Sequence, residues 1–193
     1  MRITSSYKMK LTGDLKALEN SIHIYRNAIH FVIPIVDAHW NEMKDFEYSN
    51  QRMMYVESLV HSTSKNKAQY DFDEKFPKFP SYLRRAVLNL ALGIVSSYHS
   101  NLANWEKEPK GQVPQLSLTH YAYPAYYKKN LFRNFDPVKQ TIELKVFKNG
   151  DWVFEVYQLK TSDCRYYQTY LTSKKQNVPI LQKKGRRFYA IFS

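Results

Sequence analysis

Residues 141–157 read TIELKVFKNGDWVFEVY, and this stretch decides the fold. The apolar residues of its first half alternate with polar ones, and a second run of β-forming residues begins at Trp152. Asn149-Gly150 stands between the two runs, and both of these residues tolerate the positive φ angles of a type I′ turn. The stretch therefore predicts an antiparallel β-hairpin.

Weaker β signals lie on both sides of this hairpin. Apolar and polar residues alternate over Tyr7–Leu11, which predicts a first strand near the N-terminus. A final hairpin is predicted from residues 178–181, through a turn at Lys184-Gly185, into residues 187–192. A short helix is expected between the two hairpins, from Ser162-Asp163 through Tyr170.

Between the first strand and the first hairpin, the apolar residues recur at intervals of three and four, which is typical of helices. Asp14 is placed to cap a long helix that continues to Trp40 and that we expect to bend at Pro34. A second helix is predicted after Ser49-Asn50, followed by a polar loop over residues 61–74. A third helix is predicted from Pro80-Ser81 to Trp105.

The order of strand, helices and strands predicts an α+β fold. We expect a small OB-like β-barrel with a helical lobe inserted after its first strand. In this interpretation residues 1–12 are the first barrel strand, residues 13–105 are the inserted lobe, and residues 106–193 supply the remaining strands.

The composition predicts an anionic partner. The 193 residues include 29 Lys and Arg against 17 Asp and Glu, a net charge of +12. Residues 1–110 hold 15 basic and 12 acidic groups, a balance of +3, whereas residues 111–193 hold 14 and 5, a balance of +9. Because 44% of the residues are hydrophobic, a disordered basic tail is excluded.

The candidate nucleic-acid-binding residues are cations close to aromatic rings, or polar and basic residues at helix starts. In the second half of the chain they are Tyr123, Tyr126, Tyr127, Lys128, Lys129, Arg133, Lys174, Lys175, Lys183, Lys184, Arg186 and Arg187. At the helix starts they are Ser49, Asn50, Gln51, Ser81, Arg84 and Arg85. The alternatives are a solvated charged face, tyrosines that pack in the core, and arginines that are ordinary helix surface.

The sequence offers no catalytic constellation. Its single cysteine, Cys164, excludes an internal disulfide, and the chain has no zinc-ligand quartet, glycine-rich phosphate loop or His-x-x-x-His pair. Arg165 could lower the pKa of the thiol, but no neighbouring base is evident. We therefore expect no active site and no cofactor in this chain. A cytoplasmic protein without membrane contact is expected, since no signal peptide or membrane-spanning stretch is visible.

The order of segments resembles the N-terminal half of the TnpB RNA-guided nucleases, transposon-encoded relatives of the type V CRISPR effectors. The resemblance extends over most of the chain and is carried by Lys8–Leu11, Phe79–Ser81, Ala86–Leu90, Tyr123–Lys128, Val146–Val153, Ser162–Tyr166 and the final hairpin. In that family an OB-like wedge barrel is split by a helical recognition lobe.

The resemblance implies that this chain binds a guide RNA, the guide-target heteroduplex and a short DNA motif beside the target. In the family a metal-dependent RuvC domain follows the last hairpin, whereas this sequence ends at Ser193. Either the sequence is a truncated part of such a protein, or it is one half of a split effector. We expect the second: a non-catalytic subunit whose RuvC domain, with its divalent metal, is on a separate chain. The alternatives are a DNA-binding transcriptional regulator that does not cleave and a general RNA-binding protein.

Overall fold

The computed structural model describes residues 6–118, 121–171 and 178–192. The chain forms two compact units, of which the first comprises residues 1–24 and 123–193 and the second residues 25–122. We call them the sheet unit and the helical unit. The sequence placed the divisions after residues 12 and 105, whereas the compact units divide within the first long helix and before Tyr123. Lys174 and Lys175 lie outside the described residues.

The fold mixes helices and strands, as the sequence predicts. In chain order the elements are β1 (Tyr7–Thr12), α1 (Leu15–Ala38), α2 (Trp40–Met43), α3 (Ser49–Val60), α4 (Phe72–Lys75), α5 (Ser81–Lys107), β2 (Phe132–Asp136), β3 (Thr141–Lys148), β4 (Asp151–Leu159), α6 (Thr161–Tyr170), β5 (Ile180–Lys184) and β6 (Arg187–Phe192). The predicted first strand, both hairpins, the long helices and the short helix before the last hairpin are confirmed. The predicted loop over residues 61–74 contains the start of α4, and β2 was not predicted.

The strands form one antiparallel sheet in the order β2-β3-β4-β1-β6-β5, which curls into a half-barrel. Residues 124–126 extend the sheet beyond β5, because the Tyr126 amide donates to the Pro179 carbonyl at 2.8 Å and the Leu181 amide to the Pro124 carbonyl at 3.0 Å. At the β3-β4 turn, Asn149 and Gly150 have φ angles of 52° and 82°. These angles confirm the turn that the sequence predicts.

One side of the sheet is packed, and we call it the inner side. The first turns of α1 are tied to this part of the fold by hydrogen bonds. The Asp14 carboxylate accepts from the Ala17 amide at 3.1 Å, which confirms the predicted cap. The Ser21 hydroxyl accepts from the Phe147 amide at 2.8 Å, and the Tyr157 hydroxyl donates to the Asp14 carbonyl at 3.1 Å. These bonds satisfy backbone groups that the sheet leaves unpaired.

The helical unit has its own apolar core. Ile29, Val32 and Val36 of α1 are fully buried, as are Val87 and Leu88 of α5. An aromatic cluster packs at the start of α5, with Phe72, Phe76 and Phe79 in mutual ring contact. Phe72 is completely buried, so this cluster explains why the polar stretch before α5 folds into a short helix.

Gly13→Ala is expected to destabilise the sheet unit by about 2 kcal/mol. Gly13 has a φ of +135°, and an added Cβ would lie 3.2 Å from the Tyr157 ring. Gly93→Ala is the control, because an added Cβ meets nothing within 4 Å in the middle of α5. That change should stabilise the helix by about 0.5–1 kcal/mol. Urea denaturation measures both changes, and a neutral Gly13→Ala would contradict the assigned backbone conformation.

Candidate nucleic-acid interface

The net positive charge of the chain resides almost entirely in one unit. The sheet unit holds 18 Lys and Arg against 7 Asp and Glu, a balance of +11. The helical unit holds 11 against 10, a balance of +1. An anionic partner is therefore attracted mainly to the sheet unit.

The strand register assigns the charged residues to sides of the sheet, because directly paired residues lie on the same side. Ile142, Leu144 and Val146 of β3 are buried on the inner side, so the alternate residues of β3 lie on the other side. We call that side the outer face. The strand pairing extends this assignment from β3 to the other strands. The outer face then includes Lys8, Lys10, Arg133, Asp136, Glu143, Lys145, Phe154, Val156, Lys184, Arg187 and Tyr189.

The two acids of the outer face are both engaged. Glu143 accepts from the Asn134 amide group and from the Arg133 guanidinium at 2.6 Å. These contacts, the Asn134 hydrogen bond first, hold the pKa of Glu143 below its usual value. The Asp136 carboxylate accepts from the Val138 and Lys139 amides, each at 2.9 Å. Neither acid therefore neutralises the other cations of this face.

The remaining cations of the outer face are available to an external anion. Lys8, Lys184 and Arg187 are exposed, while Lys10 and Lys145 are half-buried. None of these five side chains forms an ion pair within the described ranges. Cations that lack an internal partner can neutralise phosphates without breaking an existing contact.

An aromatic ring lies among these cations. The guanidinium carbon of Arg133 is 4.0 Å from the centroid of the Phe154 ring, and the Lys145 ammonium is 5.6 Å from the same centroid. Val156 beside them is 55% exposed. A guanidinium that is already stacked on a ring presents a flat, charged surface, which suits both a base and a phosphate.

The cations of the inner side differ, because they are paired within the sheet unit. The Lys148 ammonium lies 3.0 Å from Glu155 and 3.3 Å from Asp14, and these contacts raise its pKa. Lys183 forms an ion pair with Glu19 and lowers the pKa of that carboxyl. The predicted phosphate binding by Lys183 would therefore compete with this ion pair.

The tyrosine-rich segment divides between core and surface. Tyr126 is only 1% exposed, so its predicted role in base stacking is wrong. Tyr123 is half-buried, and its hydroxyl donates to the Lys183 carbonyl at 2.8 Å. Tyr127 remains at the surface, as do Lys128, Lys129 and, in the β5-β6 turn, Arg186.

The predicted residues at helix starts all belong to the helical unit. Ser49, Asn50, Ser81 and Arg85 are exposed. The Gln51 side-chain oxygen accepts from the Tyr48 amide at 3.0 Å and so completes a cap at the start of α3. If Gln51 contacted a DNA base, as predicted, its side chain would have to give up this cap.

Arg84 requires a correction. The residue is 8% exposed, and its guanidinium lies 3.5 Å from the carboxylates of both Glu57 and Asp73. The Asp73 carboxylate also contacts the His61 ring at 2.5 Å. Arg84 is therefore part of a buried ionic network that joins α3, α4 and α5, and it cannot reach a DNA groove from this position.

Sequence reasoning missed the outer-face residues Lys8, Lys10, Lys145 and Phe154. A signal was present, because Lys8 and Lys10 alternate with buried residues of β1. Alternation alone shows that such residues share a face within one strand. Only the register shows that four or more strands contribute cations to the same face.

Other chemistry finds little support in the described part of the chain. It contains no group of three or more His, Cys, Asp or Glu side chains arranged to hold a metal ion. Cys164 is buried, and burial, with the Asp163 carboxylate as a second cause, raises the pKa of its thiol. Among the described helices, none is both long and apolar enough to cross a bilayer.

Comparison with known proteins gives one match. The model of the Aq_aa04 family matches residues 3–148, more than half of the chain. No curated protein matches, and no solved structure matches.

Proposed function

The chain belongs to the Aq_aa04 family, and we propose that it binds nucleic acid, RNA in the first place, through the outer face of its sheet unit. The observation that carries this proposal is a set of cations that the register places on one face and that form no ion pair in the described part of the chain. Lys8 and Lys10 come from β1, Lys145 from β3, Lys184 from β5 and Arg187 from β6. The charge balance of +11 in this unit supports it.

Phosphate contacts of this kind provide affinity and position rather than sequence recognition. The surface of the sheet suits contact with successive phosphates, because extended strands repeat side chains on one face at intervals of about 7 Å. Backbone phosphates of a single strand follow one another at a comparable spacing. Binding of this kind weakens steeply with salt.

The narrower function is that of an RNA-guided subunit. In this proposal the chain forms an OB-like barrel with an inserted helical lobe, and it binds a guide RNA and target DNA with its adjacent motif. A separate RuvC-bearing chain contributes the divalent metal and the cleavage. The support for it is the order of segments that resembles the TnpB proteins. The residues proposed to read the DNA motif are reduced to Ser49, Asn50, Ser81 and Arg85, since Arg84 is buried and the Gln51 side chain caps α3.

Purification of the tagged protein from its native host tests the narrower function. We expect one structured RNA and a second, nuclease-like polypeptide to remain bound through a low-salt wash. A protein that carries no RNA but retains duplex DNA would indicate the regulator instead. A protein that carries mixed RNAs and no second chain would indicate a general RNA binder, and either result would contradict the RNA-guided assignment.

A further inference from the structure

The exposed side of α6 carries stacked tyrosine rings. Tyr7 of β1 and Tyr166 of α6 lie with ring centroids 5.2 Å apart and an interplanar angle of 15°. Tyr170, one helical turn after Tyr166, places its ring centroid 4.8 Å from that of Tyr166, with the two ring planes tilted by 47°. We call these three residues the tyrosine ladder. It consists of one stacked pair and a third ring in tilted contact with that pair.

The ladder is held in place at its base. The Tyr7 hydroxyl donates to the Asp163 carbonyl. The Asp163 carboxylate accepts from the Lys10 amide at 2.9 Å, and the Lys160 amide donates to the Lys10 carbonyl at 3.1 Å. Cys164 is buried beneath the helix. The first turn of α6 is therefore fixed to β1, and little side-chain freedom remains for a ligand to remove at Tyr166.

The outer end of the ladder is open to solvent. Tyr166 is 50% exposed and Tyr170 is 60% exposed. Arg165, the residue before Tyr166, and Lys160, at the start of the helix, are exposed, whereas the one acid of this helix, Asp163, is engaged with β1. Exposed rings on a helix that carries exposed cations and no free acid suit an unpaired base with its phosphate. The same charge disfavours a basic protein surface.

We infer that the tyrosine ladder is a base-stacking site, so that the nucleic acid bound by this protein is single-stranded where it crosses α6. This inference rests on the proposed function, and it adds the substrate class to it. A base can stack on the exposed ring of Tyr166 or Tyr170. Tyr7 pairs with Phe192 and lies on the inner side of the sheet, whereas Lys8 lies on the outer face, so the ladder is a second contact surface separate from the outer face.

Two probes separate stacking from phosphate contact: a fluorescein-labelled oligothymidine and an abasic strand of the same length and backbone. Y166A/Y170A is expected to weaken oligothymidine binding about tenfold and to leave binding of the abasic strand unchanged. Y166F/Y170F keeps the rings and should bind both probes as the parent protein does. Tyr121→Ala is the matched control, because Tyr121 is 74% exposed in the helical unit.

The possible results distinguish this inference from the proposed function. If Y166A/Y170A binds oligothymidine as the parent does, the ladder is not a stacking site, while the proposed function stands. If the parent protein binds neither probe at low salt, the proposed function fails as well.

The single substitution Tyr170→Ala shows whether a loss of binding comes from a folding defect. Tyr170 is exposed, so its removal should leave the fold intact, and its ring contacts Tyr166, so its removal still shortens the ladder. It should retain the circular dichroism spectrum of the parent and still lose affinity for oligothymidine. Loss of a co-purifying polypeptide without loss of oligothymidine binding would make the ladder a protein-docking surface and overturn the inference.

Discussion

Replacement of Lys8, Lys10, Lys184 and Arg187 with Gln is expected to weaken binding of a single-stranded RNA at least about a hundredfold at low salt. These residues lie on the outer face and lack carboxylate partners in the described part of the chain. Each lost phosphate contact should lower the slope of log affinity against log salt by about 0.7, so the slope should fall by roughly 3. Fluorescence anisotropy across a salt series measures both quantities.

A charge-matched variant shows whether the face matters or only the net charge. Lys44, Lys65, Lys67 and Lys107 are exposed residues of the helical unit, and their replacement with Gln removes the same charge. This control should retain most of the affinity and most of the slope. Equal losses in the two variants would show that the outer face has no special role.

Arg84→Ala is expected to destabilise the helical unit by about 2–3 kcal/mol. The substitution removes a guanidinium that is 8% exposed and leaves Glu57 and Asp73 without their shared partner. Breaking a buried ion pair typically costs about 3–5 kcal/mol, and the partial exposure of both acids reduces this figure. The midpoint of urea denaturation measures the loss.

Arg85→Ala is the control, since Arg85 is the exposed neighbour in the same turn of α5. Its free energy of unfolding should stay within about 0.5 kcal/mol of the parent. If both substitutions are equally mild, Arg84 is not buried in solution, and its role as a reader of DNA is open again.

Local signals in the sequence were sufficient to predict most of the helices and strands. The Asn149-Gly150 turn and the Asp14 cap depend on residues next to each other in the chain, and the structure confirms both. β2 was missed for a local reason as well. Its register shifts between Arg133 and Asp136, and Asn134 has a φ of 50°, so the alternation that marks a strand is broken.

The candidate site depends on contacts between residues far apart in the chain. Tyr126 and Tyr127 are neighbours in sequence, yet one is buried and the other exposed. Lys183 and Lys184 likewise differ only by the side of β5 on which they lie, and Glu19 of α1 decides the outcome for Lys183. Composition shows that the excess of positive charge lies in the second half of the chain, but only the register shows which cations share a face.

Photo-crosslinking tests the location of the nucleic acid most directly. RNA that contains 4-thiouridine would be irradiated in complex with the protein, and the crosslinked peptides would be identified by mass spectrometry. We expect crosslinks in the sheet unit, at β1, at Phe154 of β4, at Tyr189 of β6 and at Tyr166 or Tyr170 of α6. Crosslinks confined to residues 25–122, or their absence from all outer-face strands, would contradict nucleic-acid binding by this face.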